Sequence, residues 1–174
     1  MSKAIFLDRD GVVNTAIIKN GLPFSPLCLN EVKVISGVKE AIGTFKTLGY
    51  IPVIVTNQPE VARGNLKIEE LERMNSYLRQ ELGILKFYSC THDDVDACEC
   101  RKPKPGMFLQ AAKELKLDLR QSLMVGDRWK DIEAGQRAGC KCFFIDNSYQ
   151  EPLPKAPFTR VTSLSEVLTC NLRA

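Results

Sequence analysis

The chain has 174 residues, 44% of them hydrophobic and 26% charged, enough for one buried core and with little room for another, so a single domain over 1–174 is expected. Its net charge of +3 comes from scattered lysines and arginines, too mild to predict a nucleic-acid partner on electrostatics. No apolar run reaches the length of a signal-peptide core or a membrane span, so a cytoplasmic monomer with neither a membrane nor a nucleic-acid partner is expected.

Residues 3–7 form a short apolar run that ends in charge at Asp8. Residues 51–56 (Ile-Pro-Val-Ile-Val-Thr) form a β-branched run ending in polar residues, and 122–126 and 140–145 repeat the pattern with Asp127 and Asp146 just beyond. Such runs predict buried strands. Helical spacing occupies 37–48, 68–82, 105–115 and 129–138, with Gly49, Gly83 and Gly139 where helices end. After a proline-bearing stretch at 152–157, residues 163–168 predict a last short helix. Alternating strands and helices predict an α/β fold, a mainly parallel sheet sandwiched between two helical layers, with ligands at the carboxyl ends of the strands.

Those strand ends carry a reactive set. Asp8 and Asp10 are two apart, which keeps both side chains on one side while the chain stays extended, and Gly11 permits a sharp turn. One carboxylate can attack phosphorus while the other gives a proton to the departing oxygen and later activates water. An isolated Asp-x-Asp is more often a loop-capping pair. Three further segments change that reading. Thr56-Asn57-Gln58 offers a hydroxyl and amides to phosphate oxygens, though alone it would be a helix cap or Asx turn. Arg101-Lys102-Pro103-Lys104-Pro105-Gly106 offers Lys102 as a cation, or else is an exposed basic loop. Gly126-Asp127-Arg128-Trp129-Lys130-Asp131 offers carboxylates to a hard cation, or else is a capped helix start. Phosphoryl transfer is mostly positioning and charge neutralisation, so this set suffices with magnesium on Asp8, Asp127 and the backbone carbonyl of Asp10.

The four segments, in this order, resemble the four motifs of the haloacid dehalogenase superfamily of phosphohydrolases. The resemblance implies a Rossmann-like fold with the strand before Asp8 at its centre. It further implies Asp8 as nucleophile, Asp10 as general acid and base, Thr56 and Lys102 as phosphate contacts and Asp127 as a magnesium ligand, with Asp131 at a second acidic position whose metal contact varies.

Seven cysteines include Cys90, Cys98 and Cys100, which crowd around His92, the sole histidine. Four soft ligands within residues 90–100 suit a structural, tetrahedral zinc site. Cys28, Cys140, Cys142 and Cys170 are read as inert. Zinc at 90–100 would pin the loop that delivers Arg101 and Lys102. Cys-x-His…Cys-x-Cys-Arg-Lys-Pro-x-Pro-Gly-Met, with Asp-Arg-Asp-Gly-Val-Val-Asn and Thr-Asn-Gln-x-x-x-Ala-Arg-Gly, is similar to the D-glycero-D-manno-heptose 1,7-bisphosphate phosphatases and the related histidinol-phosphate phosphatases. That likeness implies a small phosphorylated sugar as substrate, no large cap domain, Arg101 as a substrate contact and Asn57 and Gln58 at the pocket's border. Pro59-Glu60-Val61 and the 18–26 loop depart from the common pattern where they would touch whatever carries the phosphate. Histidinol phosphate, a nucleic-acid 3′-phosphate and a non-catalytic phosphate-binding module are the rival readings.

Overall fold

In a computed structural model that describes residues 1–172, the first strand, β1 (Lys3–Leu7), is buried at every residue after Lys3. A two-stranded antiparallel hairpin follows, β2 (Ile17–Lys19) and β3 (Leu22–Phe24). Then come α1 (Val38–Thr47), β4 (Tyr50–Asn57), α2 (Ile68–Leu82), β5 (Lys86–Cys90) and α3 (Gly106–Leu115). The chain continues as β6 (Leu123–Gly126), α4 (Trp129–Ala138), β7 (Lys141–Ile145), β8 (Thr159–Val161) and α5 (Leu164–Leu172).

The six long-sheet strands lie in the order β5-β4-β1-β6-β7-β8, with every pairing parallel. A strand in the middle of such a sheet must be apolar on both faces, because a helix covers each one. In β1, Ile5 and Leu7 pack in one core with Ile42 and Phe45 of α1, Leu71 and Met74 of α2, and Val167 of α5. Ala4 and Phe6 pack in the other with Phe108 of α3 and Ile132 of α4. Successive crossovers place β4 on one side of β1 and β6 on the other, so a crevice opens at the carboxyl end of β1 where the strand order reverses. This is the expected Rossmann-like three-layer arrangement. Between β1 and α1 the described strands are only the small hairpin, so no large cap covers that crevice.

The expected helices match to within a residue or two, except the last, which runs on to Leu172. The 51–56 strand lengthens by one residue at each end, and those expected at 122–126 and 140–145 each begin a residue later. Four strands were not expected. β5 is an edge strand whose apolar residues are interrupted by Lys86 and Ser89, and β2, β3 and β8 are three residues each, too short for a period to show. Asn20 and Gly21 both have positive φ (52° and 74°), the turn that joins a two-residue hairpin and favours an Asn-Gly pair, so the hairpin did leave a local signal.

Helix α4 lies so close to the sheet that a Cβ at Gly135 would fall 2.7 Å from Met124 Cβ and 2.8 Å from Cys142 Sγ. Gly43, within α1, is exposed and has open space around it. The same substitution should therefore have opposite signs. Gly43→Ala should stabilise by about 0.5–1 kcal/mol through helix propensity, whereas Gly135→Ala should destabilise by about 1–3 kcal/mol through overpacking. Urea denaturation of the two variants checks this.

Candidate active site

Three carboxylates and one ammonium meet where β1 and β6 end. Lys102 Nζ donates to Asp8 Oδ1 (2.8 Å) and to the Val55 carbonyl (2.8 Å), and it lies 2.6 Å from Asp131 Oδ1. Lys102, Asp8, Asp127 and Asp131 are all buried. Burial opposes the charge on Lys102, but Asp131 and Asp8 outweigh it and hold the ammonium above its ordinary pKa. Burial, then the charge of Asp131, pushes Asp8 up to about 6 against the pull of Lys102. Burial, then Asp8 and Asp131, likewise raises Asp127 well above the carboxylate range.

The cluster fits a divalent cation. Asp8, Asp127 and Asp131 each offer an oxygen within 4.8 Å of the others. With all three ionised, three negative charges less the one positive charge of Lys102 leave two, the charge that magnesium would balance. Asp127 Oδ1 is buried and has no hydrogen-bond partner. A buried, unsatisfied carboxylate oxygen is costly unless something binds it. The side chain of Asp10 is not part of this cluster.

Asp10 sits differently from the extended-chain picture. β1 ends at Leu7, and the amides of Val13 and Asn14 turn back to the Arg9 carbonyl, so the chain is already curling at Asp10. Arg9 is 1% exposed and grips the Asp10 carboxylate with Nε and Nη2, both at 3.0 Å. Asn14 Nδ2 (2.9 Å) and Gln58 Nε2 (2.9 Å) complete four donors. Burial pushes Asp10 upward, yet the Arg9 charge and these donors bring it below the usual range, so it is held as a carboxylate. Asp8 and Asp10 nonetheless line the same small cavity.

The residues after β4 divide their work. Thr56 lines the cavity with Asn57 and Lys102. Asn57 also clasps the cation's backbone, its Nδ2 donating to the Lys102 carbonyl (3.0 Å) and its Oδ1 accepting from the Lys102 amide (3.1 Å). Gln58 departs from expectation. It is 0% exposed, and its amide nitrogen reaches inward to Asp10 and to Thr56 Oγ1 (2.9 Å). Residue 58 lies just past the end of β4, and its two bonds hold the side chain inward, between Asp10 and Thr56.

The inner cavity shares Pro23, Phe24, Ser25, Asn57, Arg128 and Lys130 with an outer one of about 230 Å³. The hairpin walls one side of both, and Pro59 and Glu60 line the outer one, so both loops that depart from the common pattern face the space beside the reactive cluster. Four cations line the outer cavity. Arg63 is paired with Asp93 and Glu60, Arg101 with Asp94, and Arg128 with Glu151, while Lys130 has no ion-pair partner among the described residues. Arg128 and Lys130 were not singled out from the sequence, where their segment is read for the carboxylates of Asp127 and Asp131.

Cys90, His92, Cys98 and Cys100 converge at the end of β5. Sulfur pairs lie 3.3–3.6 Å apart, and His92 Nδ1 is 3.7 Å from Cys90 Sγ and 3.3 Å from Cys100 Sγ. A tetrahedron with zinc bond lengths of ~2.3 Å to sulfur and ~2.1 Å to nitrogen has edges of roughly 3.6–3.8 Å, so the donor set has the right size for zinc. The loop is fastened onward to the site: Lys104 Nζ donates to the Cys98 carbonyl (2.9 Å), Arg101 Nη1 to the His92 carbonyl (3.3 Å), and the Gln58 amide to the Cys90 carbonyl (2.7 Å). Burial pushes the thiols of Cys140 and Cys142 up to about 12, in keeping with inert cysteines.

Residues 14–139 match the model of a family described as haloacid dehalogenase-like hydrolase. The chain is 40% identical over 152 residues to the D-glycero-beta-D-manno-heptose-1,7-bisphosphate 7-phosphatase of Haemophilus influenzae, covering 81% of this chain and 79% of the relative. It is 33% identical over 172 residues to the D-glycero-alpha-D-manno-heptose-1,7-bisphosphate 7-phosphatase of Campylobacter jejuni, covering 96% and 94%. A crystal structure of D,D-heptose 1,7-bisphosphate phosphatase from B. bronchiseptica, complexed with magnesium and phosphate, superposes with a TM-score of 0.84 at 28% identity, covering 98% of each chain. No described helix is long and apolar enough to cross a membrane.

The raised Asp8 carboxyl has a consequence for stability. Unfolded, it loses its proton near the ordinary 3.8; folded, it keeps the proton up to about 6. Between those values the native state binds more protons than the unfolded one, so this contribution is full at low pH and is lost as pH rises through 6. Magnesium-free Asp8→Asn should therefore be more stable than magnesium-free wild type at pH 7, by on the order of 2–3 kcal/mol, and much closer to it at pH 4. Urea denaturation at the two pH values tests this, and an unchanged difference between them would show that Asp8 is not strained by its neighbours.

Proposed function

The chain belongs to the haloacid dehalogenase-like hydrolase family, and from that membership we propose that it removes the 7-phosphate of a heptose 1,7-bisphosphate by way of a phosphorylated Asp8. It is a phosphatase, and a single domain carries the whole reaction. The observation that carries the reading is the Asp8 carboxylate, held 2.8 Å from a buried Lys102 at the floor of a cavity whose outer part is lined with cations.

The reacting phosphate occupies the inner cavity, where the Thr56 hydroxyl and the Lys102 ammonium meet its oxygens. Asp8 attacks phosphorus, the bond from phosphorus to the sugar oxygen breaks, and that oxygen leaves with a proton from Asp10. Water then attacks the phosphorus, passes a proton to Asp10, and the bond to Asp8 breaks, releasing inorganic phosphate and restoring both side chains. The four donors around Asp10 suit the base of the second step. To serve as the acid of the first, Asp10 turns from Arg9 toward the leaving oxygen.

Asp8, Asp127 and the backbone carbonyl of Asp10 would hold magnesium, with Asp131 at its edge and linked to Lys102. When bound, the ion supplies charge neutralisation for the phosphoryl oxygens and aligns them for attack. Cys90, His92, Cys98 and Cys100 would hold a structural zinc, a set of four that leaves no position open for water. The sugar lies against the hairpin and Asn57, with Arg101 beside it. The second phosphate finds Lys130, the lining cation without a carboxylate partner among the described residues.

With magnesium present, wild-type protein should release phosphate from heptose 1,7-bisphosphate of at least one anomer much faster than from histidinol phosphate. Asp8→Asn should abolish that release while its circular dichroism is unchanged. Faster turnover of histidinol phosphate would overturn the substrate, and turnover retained by the variant would overturn the covalent route.

Metal analysis should return about one zinc per chain, lost in Cys98→Ser together with most of the activity. A zinc-free preparation with full activity would show the four ligands to be idle.

A further inference from the structure

The segment after β7 lies outside the four motifs that define the reactive cluster, yet two of its side chains reach into that cluster. Ser148 has a φ of 57°, and its amide donates to Asp146 Oδ1 (2.9 Å), so the chain turns sharply just beyond β7. The turn directs Tyr149 back beneath the crevice. Its hydroxyl donates to Asp127 Oδ2 at 2.7 Å. Asn147 Nδ2 lies 3.3 Å from the same oxygen, 3.1 Å from the Tyr149 hydroxyl and 3.1 Å from the Gly11 carbonyl. Gly11, with φ of 91°, leaves room for the contact, since a Cβ there would fall 1.8 Å from Asp127 Oδ2 and 2.8 Å from the Tyr149 hydroxyl.

The two oxygens of Asp127 are thus treated differently. Oδ2 takes the donors from the 146–150 segment, and Oδ1, buried and without a partner, is left for an ion. A carboxylate free to rotate would present either oxygen; one whose far oxygen is tethered presents only the other. Outer partners of this kind set the orientation of a metal ligand and cost roughly 10–100-fold in metal affinity when removed.

We infer that Tyr149, aided by Asn147, is a positioning residue that fixes the Asp127 carboxylate for magnesium. This rests on the magnesium reading above. The next residue ties the device to the substrate wall, because the Gln150 amide donates to the carbonyl of Gly21 at the hairpin turn (2.8 Å). The hairpin against which the sugar lies and the clamp on the metal ligand are therefore anchored by adjacent residues.

The test is manganese(II) binding to the full chain without substrate, followed by electron paramagnetic resonance with magnesium as competitor. Wild type, Tyr149→Phe and Asn147→Ala are compared, with thermal unfolding as the folding control. The phenylalanine keeps the ring and removes the donor, and should raise the dissociation constant about 10–100-fold. Asn147→Ala should raise it by a smaller factor. The magnesium concentration giving half-maximal phosphate release should move by the same ratio in each variant. Packing alone would not move that midpoint in a variant that unfolds with wild type. Equal affinity in wild type and both variants overturns the inference and leaves the magnesium reading standing. If wild type itself binds neither manganese nor magnesium, that reading fails and the inference with it.

Discussion

Everything at the carboxyl end of the sheet depends on one ammonium group. Lys102 sits 2% exposed between Asp8 and Asp131, and without it three buried carboxylates would face one another with no positive charge in contact. Charge burial on that scale is tolerable only when partners and hydrogen bonds surround each group. The fold therefore spends much of its local structure on where Lys102 enters. Asn57 grips its backbone from the end of β4, the Val55 carbonyl takes its third contact, and the cysteine-rich loop ends immediately before Arg101. The metal-sized donor set at 90–100 makes sense in that light, because a long loop with few apolar side chains has little else to hold it still.

A division of labour follows between depth and surface. The hairpin walls both cavities, but the floor of the inner one is made of buried side chains, whereas the outer one is completed by Pro59 and Glu60 and by arginines already engaged with carboxylates. The reactive groups are buried at the strand ends and recognition is on exposed loops, the usual arrangement where one reaction is adapted to many substrates.

Much of this was legible before any coordinates. The strand before Asp8 and the two before Asp127 and Asp146 come from apolar runs that end in acids, a pattern that burial on both faces enforces, while the central place of the first came from the family resemblance. The donors at 90–100 were visible because three of the seven cysteines crowd around the sole histidine. Three things stayed hidden for definite physical reasons. Gln58 looked like a pocket residue, but past the end of β4 its side chain is buried against Asp10 and Thr56, a contact made only by the tertiary fold. Arg9 has no sequence reading of its own, and nothing local signals that a guanidinium will be buried against Asp10 and Asn75. Tyr149 and Asn147 lie in a polar turn far along the chain, and only the tertiary fold brings them to Asp127.

The buried Arg9 has a further consequence. Salt screens charges through the solvent that surrounds them, and a guanidinium 1% exposed has almost none, so its hold on Asp10 is nearly indifferent to ionic strength. Arg63 and Lys130, nearer the mouth, stand where mobile ions reach them. Added salt should accordingly act on capture of an anionic substrate and leave proton transfer alone, dividing the enzyme electrically into an insulated interior and a conductive rim.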